Sequence, residues 1–157
     1  MRAMVDKDYV VILQCHIVKE RCSGYYCEQA FHQRADGFAD YARDRPYRMI
    51  FMTCGGCCGK ATMRKLAHLV RKVRKAEGIG PDRIVVQLAS CITKDNRHSP
   101  RCLFADYIKG QVARAGLECR EDTHLSPMAE ARRRDGLYGP RGKVGRSAGR
   151  PRKAGGA

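Results

Sequence analysis

Apolar residues along the chain fall into four short continuous runs separated by stretches with helical spacing. Tyr9-Val10-Val11-Ile12-Leu13-Gln14 is apolar on both faces, as a strand buried inside a parallel sheet is, and it ends at Cys15. Tyr47 to Thr53 predicts a second strand that ends at Cys54. Ile84 to Ala89 predicts a third that ends at Ser90-Cys91. Leu117 to Arg120 predicts a weaker fourth that leads to Asp122-Thr123-His124. Between the runs the period changes. Phe31, Ala35, Phe38 and Ala42 predict a helix from about Tyr26 to Arg43, broken by Pro46. Met63, Leu66, Ala67, Val70 and Val73 form one face of a second helix, ended by Gly78 and Gly80-Pro81. Phe104, Ile108, Val112 and Ala115 predict a third from about Arg101 to Ala115, closed by Gly116.

The resulting order is β-α-β-α-β-α-β. Connections of this length imply parallel strands with right-handed crossovers. The predicted fold is therefore α/β: three layers, a four-stranded mostly parallel sheet, doubly wound and flavodoxin-like. In such a sheet every strand ends at the same edge, where open α/β folds place their sites. Cys15, Cys54, Cys91 and His124 stand at or just past the four ends, so they are expected to converge there.

Composition changes the picture only near the C-terminus. Residues 125–157 hold nine Lys/Arg and two acids, and from Gly136 onward almost nothing is apolar. A short helix from Met128 is expected to take in Arg132-Arg133-Arg134. The rest cannot bury enough surface to order itself. Residues 1–124 thus read as the folded domain and 125–157 as a largely disordered basic tail. As a charge run alone the tail reads as a solubilising extension. A sharper reading is loose contact with nucleic acid or another polyanion, without sequence specificity because Tyr138 is its one aromatic residue. There is no apolar run of membrane length, and Met1 to Asp8 is too polar for a secretion signal. The expected location is the cytoplasm.

The net charge of +15 does not decide the chemistry, but nine cysteines in 157 residues do. In a reducing compartment they point to metal binding or thiol redox work, and an odd count argues against a fully paired disulfide framework. The densest stretch is Thr53-Cys54-Gly55-Gly56-Cys57-Cys58-Gly59-Lys60, which reads as strand, glycine turn and helix N-terminus. Free amides and the positive helix end favour thiolate there, and likewise at Cys102, placed at a helix start. Cys54-x2-Cys57 is the spacing by which one turn offers two thiolates to a metal. Cys15, Cys22, Cys27, Cys91 and Cys102 add thiols from loops at the same edge, and His98 and His124 offer imidazoles. Cys119, inside a strand, and Cys58 read as small buried hydrophobes. His16, His32 and His68 read as ordinary surface or boundary residues, with His16 pointing away from Cys15.

Two phosphate-loop readings compete. The Walker pattern fails, because Cys54 replaces its first glycine and Ala61 its magnesium-binding hydroxyl. Cys54-x5-Lys60 matches the cysteine-phosphatase and arsenate-reductase loop except that lysine replaces the arginine fork. A thiol–disulfide oxidoreductase using Cys54 and Cys57 is the other enzyme reading.

The pattern Cys15…Cys22…Cys27…Cys54-Gly-Gly-Cys57…Gly59-Lys60…Ser90-Cys91-Ile92…Cys102…Thr123-His124 resembles the CGGC-domain proteins of bacteria and archaea over about residues 9–124. That family usually reads CGGCPGR and ends in Gly-Thr-His; here Cys58, Lys60 and Asp122 stand in place of the proline, arginine and glycine. The resemblance implies a metal-binding protein, with zinc the expected metal. Cys15, Cys54, Cys57 and Cys91 are the first ligand set, and Cys22, Cys27, Cys102 and His124 complete it or form a second. Four thiolates suit zinc and an iron–sulphur cluster alike.

Overall fold

A computed structural model describes residues 5–137. Strands β1 (Tyr9–Gln14), β2 (Arg48–Thr53), β3 (Ile84–Leu88) and β4 (Glu118–Glu121) form one sheet in the order β2-β1-β3-β4. Every pairing is parallel: Tyr9 lies beside Arg48 and Ile84, Leu13 beside Met52 and Leu88, and Leu88 beside Glu121. The runs apolar but for Gln14 and Gln87 take the two central places, where both faces are covered, and every residue of β1 and β3 is buried. The polar Glu118-Cys119-Arg120-Glu121 takes an edge, where charged side chains discourage further strand pairing.

Helices cover both faces. On one, Leu66 and Val73 of α3 (Ala61–Glu77) and Ile108 and Val112 of α5 (Ala105–Arg114) pack on Tyr9, Val11, Leu13, Ile84, Val86 and Leu88. On the other, Ala30 and Phe31 of α2 (Tyr25–Gln33), with Phe38 and Tyr41, pack on Val10, Ile12 and Val85. The three layers follow from alternation: successive strand residues face opposite sides, and each side meets its own helices. Two single-turn helices, α1 (His16–Lys19) and α4 (Ser90–Thr93), follow β1 and β3 directly.

The helix expected from Tyr26 to Arg43 stops at Gln33. Arg34 turns left-handed, at φ 52°, and a 3₁₀ turn over Asp36–Phe38 follows. The cause is tertiary. Gly37 donates its amide to the Thr123 carbonyl at 3.1 Å and lies so close to the end of β4 that a Cβ there would sit 2.1 Å from the Asp122 oxygen. The helix expected from Arg101 begins instead at Ala105, because Asp95 accepts the Arg101 amide at 2.6 Å and holds the preceding segment as a loop.

Beyond Ser126 the tail opens with α6 (Pro127–Arg134), close to the helix expected from Met128. Ala129 is buried and Arg133 reaches the Asp95 carbonyl, so these turns lie against the body rather than apart from it. Positions 138–157, with six of the tail's nine Lys/Arg, lie outside the described residues. Among the described residues no helix is long and apolar enough to cross a membrane.

Candidate functional site

The two edges of the sheet differ in chemistry. At the amino edge, Arg83 and Arg45 hold Asp6 and Asp8, and the guanidinium bonds keep both carboxyls below their ordinary range. The carboxyl edge carries thiols. The Cys54 amide donates to the Gln14 carbonyl at 3.0 Å, and the Ala89 amide donates to the Leu13 carbonyl at 2.9 Å. These bonds extend the ladders one step past the strands and set Cys54, Cys15 and the start of α4 side by side. The Cys15 amide then donates to Cys91 Sγ at 3.4 Å. Connections leave β1 and β3 toward opposite sides, so Cys15 and Cys91 flank the crevice where such folds bind ligands.

The loop from β2 to α3 is tightly wound. Gly55, Gly56, Cys58 and Gly59 all have positive φ. Cys54 is buried, and its thiol faces the Gly56 carbonyl at 3.6 Å, while that carbonyl also accepts the Gly59 amide at 3.1 Å. Cys57 is exposed and Cys58 half-buried.

Burial pushes the Cys91 thiol up to about 12; the Cys15 amide opposes this, and neighbouring Cys15, Cys27 and Cys22 raise it further. Cys102 is also raised, first by burial and then by Cys15, Cys54 and Cys57, against the Phe104 amide 3.4 Å from its sulphur. Desolvation therefore outweighs the helix-start effect expected at Cys102, which lies three residues before α5. Cys15, Cys22 and Cys27 thus lie within electrostatic range of Cys91, and Cys15, Cys54 and Cys57 within range of Cys102. Cys119 lies apart on β4, its thiol pushed up to about 11 chiefly by burial.

His124 sits on the α2 flank, its Nδ1 3.2 Å from the Asp36 carboxylate and its ring stacked on Tyr26 at 4.9 Å. His98 is exposed. His16 turns toward the neighbouring strand, its Nδ1 3.2 Å from Thr53 Oγ1. Among the described residues no three His, Cys, Asp or Glu side chains stand close enough to hold a metal as they are.

Three residues other than cysteine support the site: Thr123 and Ser90, already within the motif pattern, and Gln14, outside it. Thr123 is buried; its Oγ1 accepts the Ser90 amide at 3.2 Å and pairs with Cys27 Sγ at 3.2 Å, while its own amide donates to Ser90 Oγ at 3.0 Å. Gln14 is buried beside Cys15, and its Oε1 has no partner. Its carboxamide lies against Gly24, between Cys22 and Cys27. The available signal was a glutamine closing an otherwise apolar strand.

The thiols should differ sharply in reactivity. In reduced, metal-free protein at about pH 8, iodoacetamide is expected to modify exposed Cys57 first and Cys91 last, read by mass spectrometry of peptides. Early labelling of Cys91 would contradict a thiol held up to about 12. Because the folded state raises this thiol above its unfolded value of about 8.5, its contribution to stability is whole below that pH and is lost as pH rises toward about 12.

The family model described as the CGGC domain matches residues 9–124. No curated protein and no solved structure matches the chain. The matched span opens on the first residue of β1 and closes on His124, enclosing all four strands and all nine cysteines. On this match the chain belongs to the CGGC domain family.

Proposed function

We infer that the chain binds a soft metal ion, zinc or an iron–sulphur cluster, through thiolates at the carboxyl edge of its sheet. The observation that carries this reading is the Cys15–Cys91 contact in the β1/β3 crevice, with five further thiols in electrostatic range. Deprotonating several such thiols side by side is costly, and a bound cation turns that repulsion into attraction. The donor set fits: it is rich in soft sulphur, and the buried Gln14 Oε1, without a partner among the described residues and lying against Gly24 between Cys22 and Cys27, leaves an acceptor for a metal-bound water or a remaining S–H. Cys15, Cys54, Cys57 and Cys91 are the first ligand set. Cys22, Cys27, Cys102 and His124 complete it or hold a second ion. A neutral His124 that donates from Nδ1 to Asp36 presents Nε2 as a ligand. Zinc would cross-link the strand-end loops, and a cluster would add electron transfer.

The test is anaerobic purification followed by metal analysis and an absorption spectrum. About one or more zinc or iron per chain is expected, with visible absorption only for a cluster. Metal-free protein in which all nine thiols titrate would reject the reading.

Exposed Cys57 beside buried Cys54 favours one second reading, thiol–disulfide exchange. Cys57 would attack a substrate disulfide and Cys54 would resolve the mixed disulfide, leaving Cys54–Cys57 oxidised and two substrate thiols free. Absence of disulfide turnover by the reduced protein would remove it. The cysteine-phosphatase reading is weakened by the Gly56 carbonyl, which presents negative charge to Cys54 Sγ where an oxyanion would need amides. Nine thiols suit a reducing compartment, and we place the protein in the cytoplasm. The basic tail would add a loose, salt-sensitive contact with polyanions.

A further inference from the structure

The outer face of α3 is cationic from end to end. Lys60, just before the helix, and Arg64, Arg71, Lys72, Arg74 and Lys75 are all exposed, on the side opposite buried Leu66 and Val73. The helix contains one acid, Glu77, and it is engaged by the Tyr9 hydroxyl at 2.7 Å and by Arg48 at 2.7 Å. A solvated helix face ordinarily intersperses both signs, which stabilises it through i,i+4 pairs. Here Lys60 and Arg64, Arg71 and Lys75, and Arg71 and Arg74 are like-charged at helical spacing, so each pair is destabilising by a few tenths of a kcal/mol. Local stability does not account for such a face.

A groove of about 510 Å³ runs between α3 and α5 below this face. Met63, Ala67, Val70 and Ala115 form its floor, and Arg71, Arg74, Lys75 and Arg114 its rim. An apolar floor under a cationic rim matches a sugar–phosphate strand, whose sugars offer C–H faces and whose linkages are anionic. Arg64 to Lys75 spans roughly 16 Å of helix, a length along which one strand of a duplex carries about four to five phosphates.

We propose that this face of α3, with Arg114 of α5, binds the phosphate backbone of double-stranded nucleic acid. Three features favour that occupant. No large apolar side chain of α3 is exposed among the described residues, so nothing projects from this face to insert into a lipid surface. No aromatic side chain lines the groove, so bases of a single strand find no stacking platform. Arginine, three of the rim's four cations, grips phosphate in two places. Binding is independent of sequence, since no contact reaches base edges. The proposal does not depend on the thiol site.

The experiment is fluorescence anisotropy of a labelled DNA duplex of about 20 base pairs with the full chain. Between about 50 and 200 mM salt, the affinity of wild-type protein should fall roughly a hundredfold, as three to four phosphate contacts require. The Arg71→Glu/Arg74→Glu/Lys75→Glu variant should bind at least about tenfold more weakly at low salt, with the salt slope flattened by about two to three. Glutamate is a good helix former and the three positions are exposed, so an unchanged melting temperature is expected. Arg71→Lys/Arg74→Lys, which keeps the charge, should retain most of the binding. Reversal of Arg150, Arg152 and Lys153 should leave the α3-dependent loss in place. Duplex affinity unchanged by the α3 reversal would overturn the proposal. So would α3-dependent binding to anionic phospholipid vesicles with none to the duplex.

Discussion

Replacing Gln87 with leucine is expected to lower folding stability by about 3–5 kcal/mol, a drop of about ten degrees or more in melting temperature. Gln87 lies fully buried in β3, a strand otherwise made of Ile, Val and Leu. Its Oε1 accepts the Tyr41 hydroxyl at 2.8 Å. Its Nε2 donates to the carbonyls of Gly37 at 3.1 Å, Glu121 at 2.9 Å and Asp122. One carboxamide thus joins the 3₁₀ turn after α2, the end of β4 and Tyr41. Leucine has similar bulk and leaves the buried Tyr41 hydroxyl and the half-buried carbonyls without their partner, and an orphaned buried group costs about 1–3 kcal/mol, a half-buried one less. Gly37→Ala acts on the same junction, by driving a Cβ into the Asp122 carbonyl. The double variant should therefore lose less than the sum of the two. Gln33→Leu, at an exposed position of α2, serves as the control and should move stability by no more than about 0.5 kcal/mol. Thermal melts of the purified variants decide the matter: a Gln87→Leu protein that melts with the wild type would show that the junction is not a structural pin.

The second large effect is on metal content. Cys91→Ser is expected to reduce metal affinity by well over the roughly 10- to 100-fold that loss of a supporting contact costs, because it removes a proposed ligand itself. Cys119→Ser should leave metal content unchanged. The pair makes a sharp comparison. Both thiols are raised chiefly by burial, to about 12 and about 11, so burial alone does not separate them. What separates them is position: Cys91 faces Cys15 across the β1/β3 crevice, and Cys119 lies on β4 near Lys109 and Glu121. Metal analysis after competition with a chelator reads the difference. Equal retention by the two variants would remove Cys91 from the ligand set, and equal loss would point to general unfolding, which the melting temperature checks.

Much of the architecture was legible as pattern. Continuous apolar runs marked β1 and β3 because a central parallel strand is covered on both faces. The amphipathic period of α3, closed by Gly78, marked a long helix resting on the sheet. Crossover-length connections then implied parallel strands, and parallel strands imply a common edge for Cys15, Cys54 and Cys91. The end of α2 was not legible. The apolar spacing of Phe31, Ala35, Phe38 and Ala42 continues past Gln33, but the close approach of Gly37 to β4 bends the chain away.

By itself the sequence determined the element types, the α/β class and the placement of thiols at strand ends, because periodicity and connection length are local properties of the chain. Only the tertiary structure decided the strand order β2-β1-β3-β4, which makes Cys15 the neighbour of both Cys54 and Cys91 and leaves His124 beyond an edge strand, against Tyr26 and Asp36. It also decided which thiols are desolvated and that Gln14 and Gln87 are buried polar groups with opposite fates, one unpartnered and one fully used. Strand order and burial are set by contacts between residues far apart in the chain, and no local pattern encodes which distant partner will supply them.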